Sequence, residues 1–211
     1  MDIAEKLIRA KADYDAVHEA GKQAEYHKFW DNFQQNGTRR NYWGAFTDAG
    51  WNDETFKPKY PLNDVYEAAY MFYRTGITKI PAFTVTYISL ANTFSRATVT
   101  EWVEEIIITR EVTSTTNLFM EASSLVHCPI TTTGNGAIAG SIDASACPFD
   151  KETIISWVNA LSETKTGLTI TFNLDAVNKA FETSEGANDG STSAEWQALK
   201  ETKPNWAFAY A

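Results

Sequence analysis

A short phrase of residues recurs in the middle of this chain. Each copy combines an aromatic-bearing pair, a polar gap, a spaced apolar pair and a strand-like run, and the copies are marked by Phe72, Phe94 and Phe119. The interval from the first phenylalanine to the second is close to that from the second to the third. A unit of this length cannot bury its own apolar face, so it must stack on its neighbours. The repeat therefore predicts a solenoid whose layers share one core.

Short β-branched runs accompany the repeat. The interval between the runs at 106–109 and 130–133 is close to that between the phenylalanines, and a third run lies at 168–172. Such runs, bounded by turn residues, are typical of parallel strands in a solenoid. The period lies in the window of about 20–29 residues that leucine-rich repeats occupy. The alternative is a mixed α/β domain with ordinary strands and a repeat that arose by chance.

The segments on either side of the repeats differ in character. We predict a long helix over 1–36, an aromatic N-terminal cap over 37–68, the repeat solenoid over 69–172 and a helical C-terminal cap over 173–211. Caps are expected because an exposed apolar end of a solenoid would aggregate. The predicted fold class is α/β, a short leucine-rich-repeat-like solenoid with parallel strands.

Three local patterns predict helices in the C-terminal third. Asp150 predicts the start of a helix that ends before Gly167, and Asn173 precedes a second helical pattern. Thr192 and Glu195 have the spacing of a capping box for a short final helix.

The first predicted helix carries a heptad pattern. Its members follow a strict 4-3-4 spacing: Ile3, Leu7, Ala10, Tyr14, Val17, Gly21 and Ala24. Such a period, close to 3.5 rather than 3.6, is typical of coiled coils, so this oligomerisation seam predicts a homo-oligomer, with a trimer favoured. An amphipathic helix packed on its own domain explains the same pattern, and the spacing alone does not separate the two.

Aromatic residues are dense between positions 38 and 59. We interpret them as the cap of the solenoid. The alternative is that Trp43 and Trp51 form a platform on which the rings of a glycan stack.

Charge and hydropathy exclude several partners. The formal net charge is −9, the pI is near 4.8, and no basic cluster exceeds Arg39-Arg40. Nucleic acids and anionic membrane surfaces need a basic face, so neither is expected as a partner. The N-terminal stretch contains no apolar signal region, and no apolar run approaches the length of a membrane span. A glycan or a protein remains as the partner.

No pattern of catalytic or metal-ligating residues stands out. His127-Cys128 is the one adjacent pair of soft ligands, and no second pair completes a four-ligand site. Glu104 and Glu105 would fall on opposite faces of a strand, and a Gly-x-Ser-x-Gly elbow is absent. We therefore expect no enzyme activity, no cofactor and no metal. Cys128 and Cys147 are expected as buried free thiols.

Four stretches carry a resemblance to a known family: 21–37, 45–60, 70–72 and 178–181. The chain resembles the leucine-rich repeat proteins of the BspA type, and more closely repeat proteins encoded by phages and prophages of Gram-positive gut bacteria. The resemblance implies a non-enzymatic binding or structural module of a phage tail, baseplate or fibre, located in the virion. It also implies a host surface glycan or protein and other virion proteins as partners.

Two other functions stay open at this point. A cell-wall or capsule glycan hydrolase would need a cleft with convergent acidic residues. An adhesin on the bacterial cell surface would normally require a signal peptide.

Overall fold

The structure, a computed structural model, describes residues 40–47, 56, 58, 61–97 and 100–211. The chain divides into two compact units, and the unit formed by residues 39–56 and 61–211 holds nearly all of the described residues. The helix predicted over 1–36, its heptad seam and Trp51 lie outside them.

The described unit is built from short strands. They are β1 (Arg40–Asn41), β2 (Leu62–Glu67), β3 (Lys79–Ile80), β4 (Phe83–Val85), β5 (Trp102–Val103), β6 (Ile106–Ile108), β7 (Glu111–Val112), β8 (Ile130–Thr132), β9 (Ala137–Ile138), β10 (Ile142–Ala144), β11 (Leu168–Phe172) and β12 (Trp206–Tyr210). The helices are α1 (Lys151–Ala160), α2 (Leu174–Ala180) and α3 (Ala194–Glu201), with a 3₁₀ turn at Gly190–Thr192. None of these helices is long and apolar enough to cross a bilayer.

All pairings between these strands are parallel. The main sheet has the order β1-β2-β4-β6-β8, a second sheet has the order β10-β11-β12, and β3–β5 and β7–β9 form two small ribbons. Equivalent positions in the main sheet are Leu62, Phe83, Ile106 and Ile130. The interval between them is nearly constant, and it corresponds to one circuit of the chain, or coil. The predicted solenoid with parallel strands is confirmed, with about four coils.

A column of phenylalanine rings runs through the core. Phe72 stacks on Phe94 with ring centroids 5.8 Å apart, and Phe94 stacks on Phe119 at 5.9 Å, both nearly parallel. Phe46 adds a fourth ring, 5.4 Å from Phe72. All four rings are buried. The repeat seen in the sequence is therefore this phenylalanine spine, which extends into the segment 37–68.

Consecutive β-turns hold the spine in place, at residues 68–75, 90–97 and 115–122. The Phe72 N–H donates to the Thr93 carbonyl, and the Phe94 N–H donates to the Leu118 carbonyl, each at 3.0 Å. Each coil therefore bonds to the next on the turn side as well as in the sheet. Because every coil repeats the same turns, each phenylalanine arrives above the previous one.

Helix α1 covers the edge of the main sheet at β8. The Cys128 N–H donates to the Thr153 hydroxyl at 2.9 Å, and the Ile130 N–H donates to the Ser156 hydroxyl at 3.0 Å. The indole N–H of Trp157 donates to the Cys128 carbonyl at 2.7 Å. Helix side chains thus satisfy backbone groups that a further coil would otherwise bond.

The same helix ends the phenylalanine spine. The rings of Trp157 in this helix and of Phe149 just before it stand nearly perpendicular to the ring of Phe119, each with centroids 5.2 Å apart. Asp150 caps α1 as predicted, with its carboxylate accepting the Thr153 N–H at 2.8 Å.

The C-terminal part departs from the sequence prediction in two places. Helix α2 begins after Asn173 as expected, but α3 is capped by Ser193, whose hydroxyl accepts the Trp196 N–H, and not by Thr192. The Thr192 hydroxyl instead donates to the Asp189 carbonyl within the 3₁₀ turn. Strand β12 was not predicted, and it extends the second sheet beside β11.

The spine predicts a large effect of one core substitution. Phe94→Ala removes a ring stacked on both sides, so we expect the free energy of unfolding to fall by about 3–5 kcal/mol. Ile88→Ala, at a site 43% exposed, should change it by less than about 1 kcal/mol. Denaturant unfolding of both variants measures this, and equal losses would contradict the stacked core.

Candidate functional site

Neighbouring residues of the first turn segment face opposite sides. Tyr42 is fully buried beside Phe46, whereas Trp43 is 61% exposed. The backbone N–H of Trp43 donates to the side-chain carbonyl of Asn41 at 2.8 Å, which fixes this turn. The fold therefore sends one aromatic ring inward and presents the other to solvent.

The exposed Trp43 is the first member of a line of touching side chains. Its ring lies 5.5 Å from that of Tyr70, which lies 5.6 Å from that of Tyr73. The Arg96 guanidinium then donates to the Tyr73 hydroxyl at 3.4 Å and pairs with Glu121 at 3.3 Å. We call Trp43, Tyr70, Tyr73, Arg96 and Glu121 the aromatic ridge. They come from successive coils.

Three members of the ridge occupy the left-handed backbone region. The φ angles are 59° at Tyr70, 58° at Arg96 and 59° at Glu121. For a residue with a Cβ atom this conformation costs about 1–2 kcal/mol. The turns force the conformation, so glycine or asparagine would fit these positions at lower cost. The same conformation recurs at Arg74, Asn92 and Asn117, which lie outside the ridge, so it is a property of the repeated turns.

The charged end of the ridge contributes little to stability. Glu121 and the Tyr73 hydroxyl raise the pKa of Arg96, so the guanidinium stays charged. Both partners of the ion pair are exposed, and exposed pairs are screened by water. The pair places a hydrogen-bond donor and an acceptor side by side at the surface.

The ridge combines groups that recognise sugars and proteins. Trp, Tyr and Arg offer large rigid faces with polar edges, and they are enriched at binding interfaces. An aromatic face can stack on the apolar face of a sugar ring, while Arg96 and Glu121 can bond to its hydroxyl groups.

A second cluster joins Trp102, His127 and Asp150. His127 Nδ1 lies 2.6 Å from a carboxylate oxygen of Asp150, and the Trp102 ring stacks on the imidazole at 3.7 Å. His127 is buried, and Asp150 also caps α1. The cluster thus fastens the helix to the ribbon side of the solenoid. No local pattern marks it in the sequence, because His127 and Asp150 lie about one coil apart along the chain.

The two adjacent glutamates, Glu104 and Glu105, have structural partners. Glu104 accepts the Ala82 N–H at 3.2 Å, and Glu105 bonds to the Thr131 hydroxyl. No group of three or more His, Cys, Asp or Glu residues within the described ranges is arranged to hold a metal ion.

Both cysteines are free and buried. Burial raises the pKa of the Cys128 thiol and of the Cys147 thiol well above the usual range. Because the thiolate is the reactive form, these groups are poor nucleophiles in the folded chain.

A groove of about 700 Å³ lies between β8 and α1. Its apolar lining includes Ile130, Ile155 and Ala160, and its polar lining includes Lys151 and Glu152. No aromatic residue of the described part of the chain lines it, whereas the ridge presents the exposed ring of Trp43, so we regard the ridge as the stronger binding candidate.

Of the two tryptophans proposed as a glycan platform, Trp43 lies in the ridge and Trp51 lies outside the described residues. The sequence missed Tyr70, Tyr73, Arg96 and Glu121. These residues come together because successive coils are aligned, and the spacing of the phenylalanines does not by itself show which exposed residues of neighbouring coils meet.

The chain was compared with family models, with curated proteins and with solved structures, and none of them matches.

Adjacent residues in the first turn should differ sharply in their effect on stability. Tyr42→Ala empties a buried site, so we expect a loss of about 3 kcal/mol or more in the free energy of unfolding. Trp43→Ala removes an exposed ring and should cost less than about 1 kcal/mol. Thermal and denaturant unfolding of both variants measure the two losses. A larger loss for Trp43→Ala than for Tyr42→Ala would contradict the placement of Tyr42 inside and Trp43 outside.

The two cysteine thiols should be unreactive in the folded protein. We expect neither cysteine to react with an aromatic disulfide reagent at mildly alkaline pH, because burial keeps both protonated. Both should react once denaturant is added. Thiol titration with and without denaturant measures this, and a fast native reaction would contradict the burial.

Proposed function

We propose that the protein is a non-enzymatic binding module that presents the aromatic ridge to a partner on a host-cell surface. The observation that carries the proposal is the separation of spine from ridge. The phenylalanines of each coil are buried, while Trp43, Tyr73 and Arg96 lie on the outside of the same turns. A solenoid of this kind offers an extended surface whose side chains change without disturbing the core.

A surface glycan is the partner that the ridge fits best. The exposed ring of Trp43 and the half-buried rings of Tyr70 and Tyr73 suit the apolar faces of sugars, and the Arg96–Glu121 pair offers both donors and acceptors of hydrogen bonds. The acidic chain, with a net charge of −9, favours a neutral or weakly charged glycan over an anionic one. A protein partner is the alternative, and binding to isolated glycans separates the two.

The proposed location of the protein rests on the sequence. The resemblance to phage-encoded repeat proteins supports a place on a phage tail, baseplate or fibre. Single glycan contacts are weak, so several copies on one particle would gain affinity through avidity.

The test is a glycan array followed by titration of the strongest glycan. Trp43→Ala should weaken binding by at least about tenfold, equivalent to about 1.4 kcal/mol. Trp102→Ala is the control, because Trp102 is 47% exposed but belongs to the β3–β5 ribbon, where its ring stacks on His127 and touches no ridge residue. It should leave binding within about twofold of the wild type.

Two results would overturn the proposal. Equal losses for the two tryptophan variants would remove the ridge from the binding site. Sugar fragments released from any array glycan or from purified cell wall would show an enzyme and reject the non-enzymatic function.

A further inference from the structure

Strand β12 forms an open edge of the second sheet. It pairs with β11 on one side over its whole length, from Trp206 to Tyr210. Within the described part of the chain, no strand pairs with its other side. Ala207 is exposed, and positions 208–210 are partly exposed.

The direction of its backbone groups follows from the pairing. The Ala211 N–H donates to the Phe172 carbonyl, so the odd-numbered residues of β12 bond to β11. The N–H and C=O groups of Phe208 and Tyr210 therefore point away from the sheet. Neither pair has a partner among the described residues, whereas the outward N–H of Trp206 already donates to the Lys203 carbonyl.

Two other sheet edges in this fold, at β8 and at β10, are covered by neighbouring segments of the chain. Helix α1 places hydroxyl groups against the strand edge at β8, and the turn segment 115–122 lies beside β10, where the Thr115 hydroxyl donates to the Ser141 carbonyl at 2.6 Å. Strand β12 has no such cover within the described ranges. It also lacks the charged residues, the proline and the bulge that commonly protect edge strands.

We propose that β12 pairs with β12 of a second copy of this chain, antiparallel, around a two-fold axis at Phe208. The edge is complementary to itself in this arrangement. Each Phe208 N–H meets the Phe208 carbonyl of the other copy, and each Tyr210 N–H meets the Trp206 carbonyl. These four bonds use every outward N–H of the strand that has no partner, and they leave the Trp206–Lys203 bond intact.

The side chains favour the same register. Phe208 of each copy lies opposite its counterpart, and Trp206 lies opposite Tyr210, so aromatic pairs form on the face that packs against α3. Ala207 lies opposite Ala209 on the other face, where small side chains let the strands approach. The strand carries no charge, so the pairing buries none. The product is a closed dimer in which the two second sheets join into one.

The test places charges at the two alanines of the full chain. In A207E/A209E, like charges face each other across the pairing, so the mass in solution should fall by a factor of two relative to the wild type. A207E/A209K carries the same number of substitutions but sets Glu opposite Lys, and it should keep the wild-type mass. Light scattering over a dilution series, starting from twice 23.6 kDa for the wild type, measures both.

A mixing experiment tests the register. A207E/A209E and A207K/A209K should each be dissociated alone and should form a mixed dimer when combined. In the wild type, hydrogen exchange should show the amides of Phe208 and Tyr210 protected, and A207E/A209E should lose that protection. Near-ultraviolet circular dichroism confirms that each variant is folded.

Three outcomes would overturn the proposal. One is a wild type that is monomeric throughout the dilution series. Another is an assembly whose mass is the same in A207E/A209E, which would place the contact elsewhere, such as in the heptad seam of the first helix. The last is equal dissociation of A207E/A209E and A207E/A209K.

Discussion

Stacking of coil on coil is the constraint on which the rest of the structure depends. A single coil buries only a few side chains on each straight segment and has no layer of its own to cover them. Hydrogen bonds in the main sheet and along the turns set the distance between coils, and the Phe72–Phe94–Phe119 column fills the space that results. The hydrogen bonds between coils and the phenylalanine column depend on each other. The packed rings exclude water from the hydrogen bonds, and the hydrogen bonds hold the rings at a constant spacing.

The same stacking produces the candidate binding surface. Turns that send phenylalanines inward send Trp43, Tyr73 and Arg96 outward, so the ridge inherits its spacing from the core. The backbone supplies the order, and the exposed side chains supply the chemistry. The strained φ angles of Tyr70 and Glu121 are the cost of carrying large side chains at these corners.

The parts of this fold that repeat could be predicted from the sequence. Phe72, Phe94 and Phe119 carried the period, and the runs at 106–109 and 130–133 indicated the sheet, because a regular stack imposes regular spacing. Phe46 was not assigned to the spine because its coil lies among many other aromatic residues. Strand β12 pairs with β11 across two intervening helices and lies outside the repeat, so the spacing of the repeat does not mark it. The ridge and the His127–Asp150 pair arise from alignment between coils, which a one-dimensional pattern does not display.

Helix α1 has a consequence for how such a chain can change its length. Its Thr153 and Ser156 hydroxyl groups accept the backbone N–H groups of Cys128 and Ile130, so a further coil could not bond to these groups while α1 is in place. A duplicated coil inserted between β4 and β6, by contrast, would find matching neighbours above and below. The architecture therefore allows growth from within, by copying an interior unit, while the terminus set by α1 stays as it is. Each inserted coil would add one position to the line of exposed side chains, so the length of this surface would increase with the number of coils.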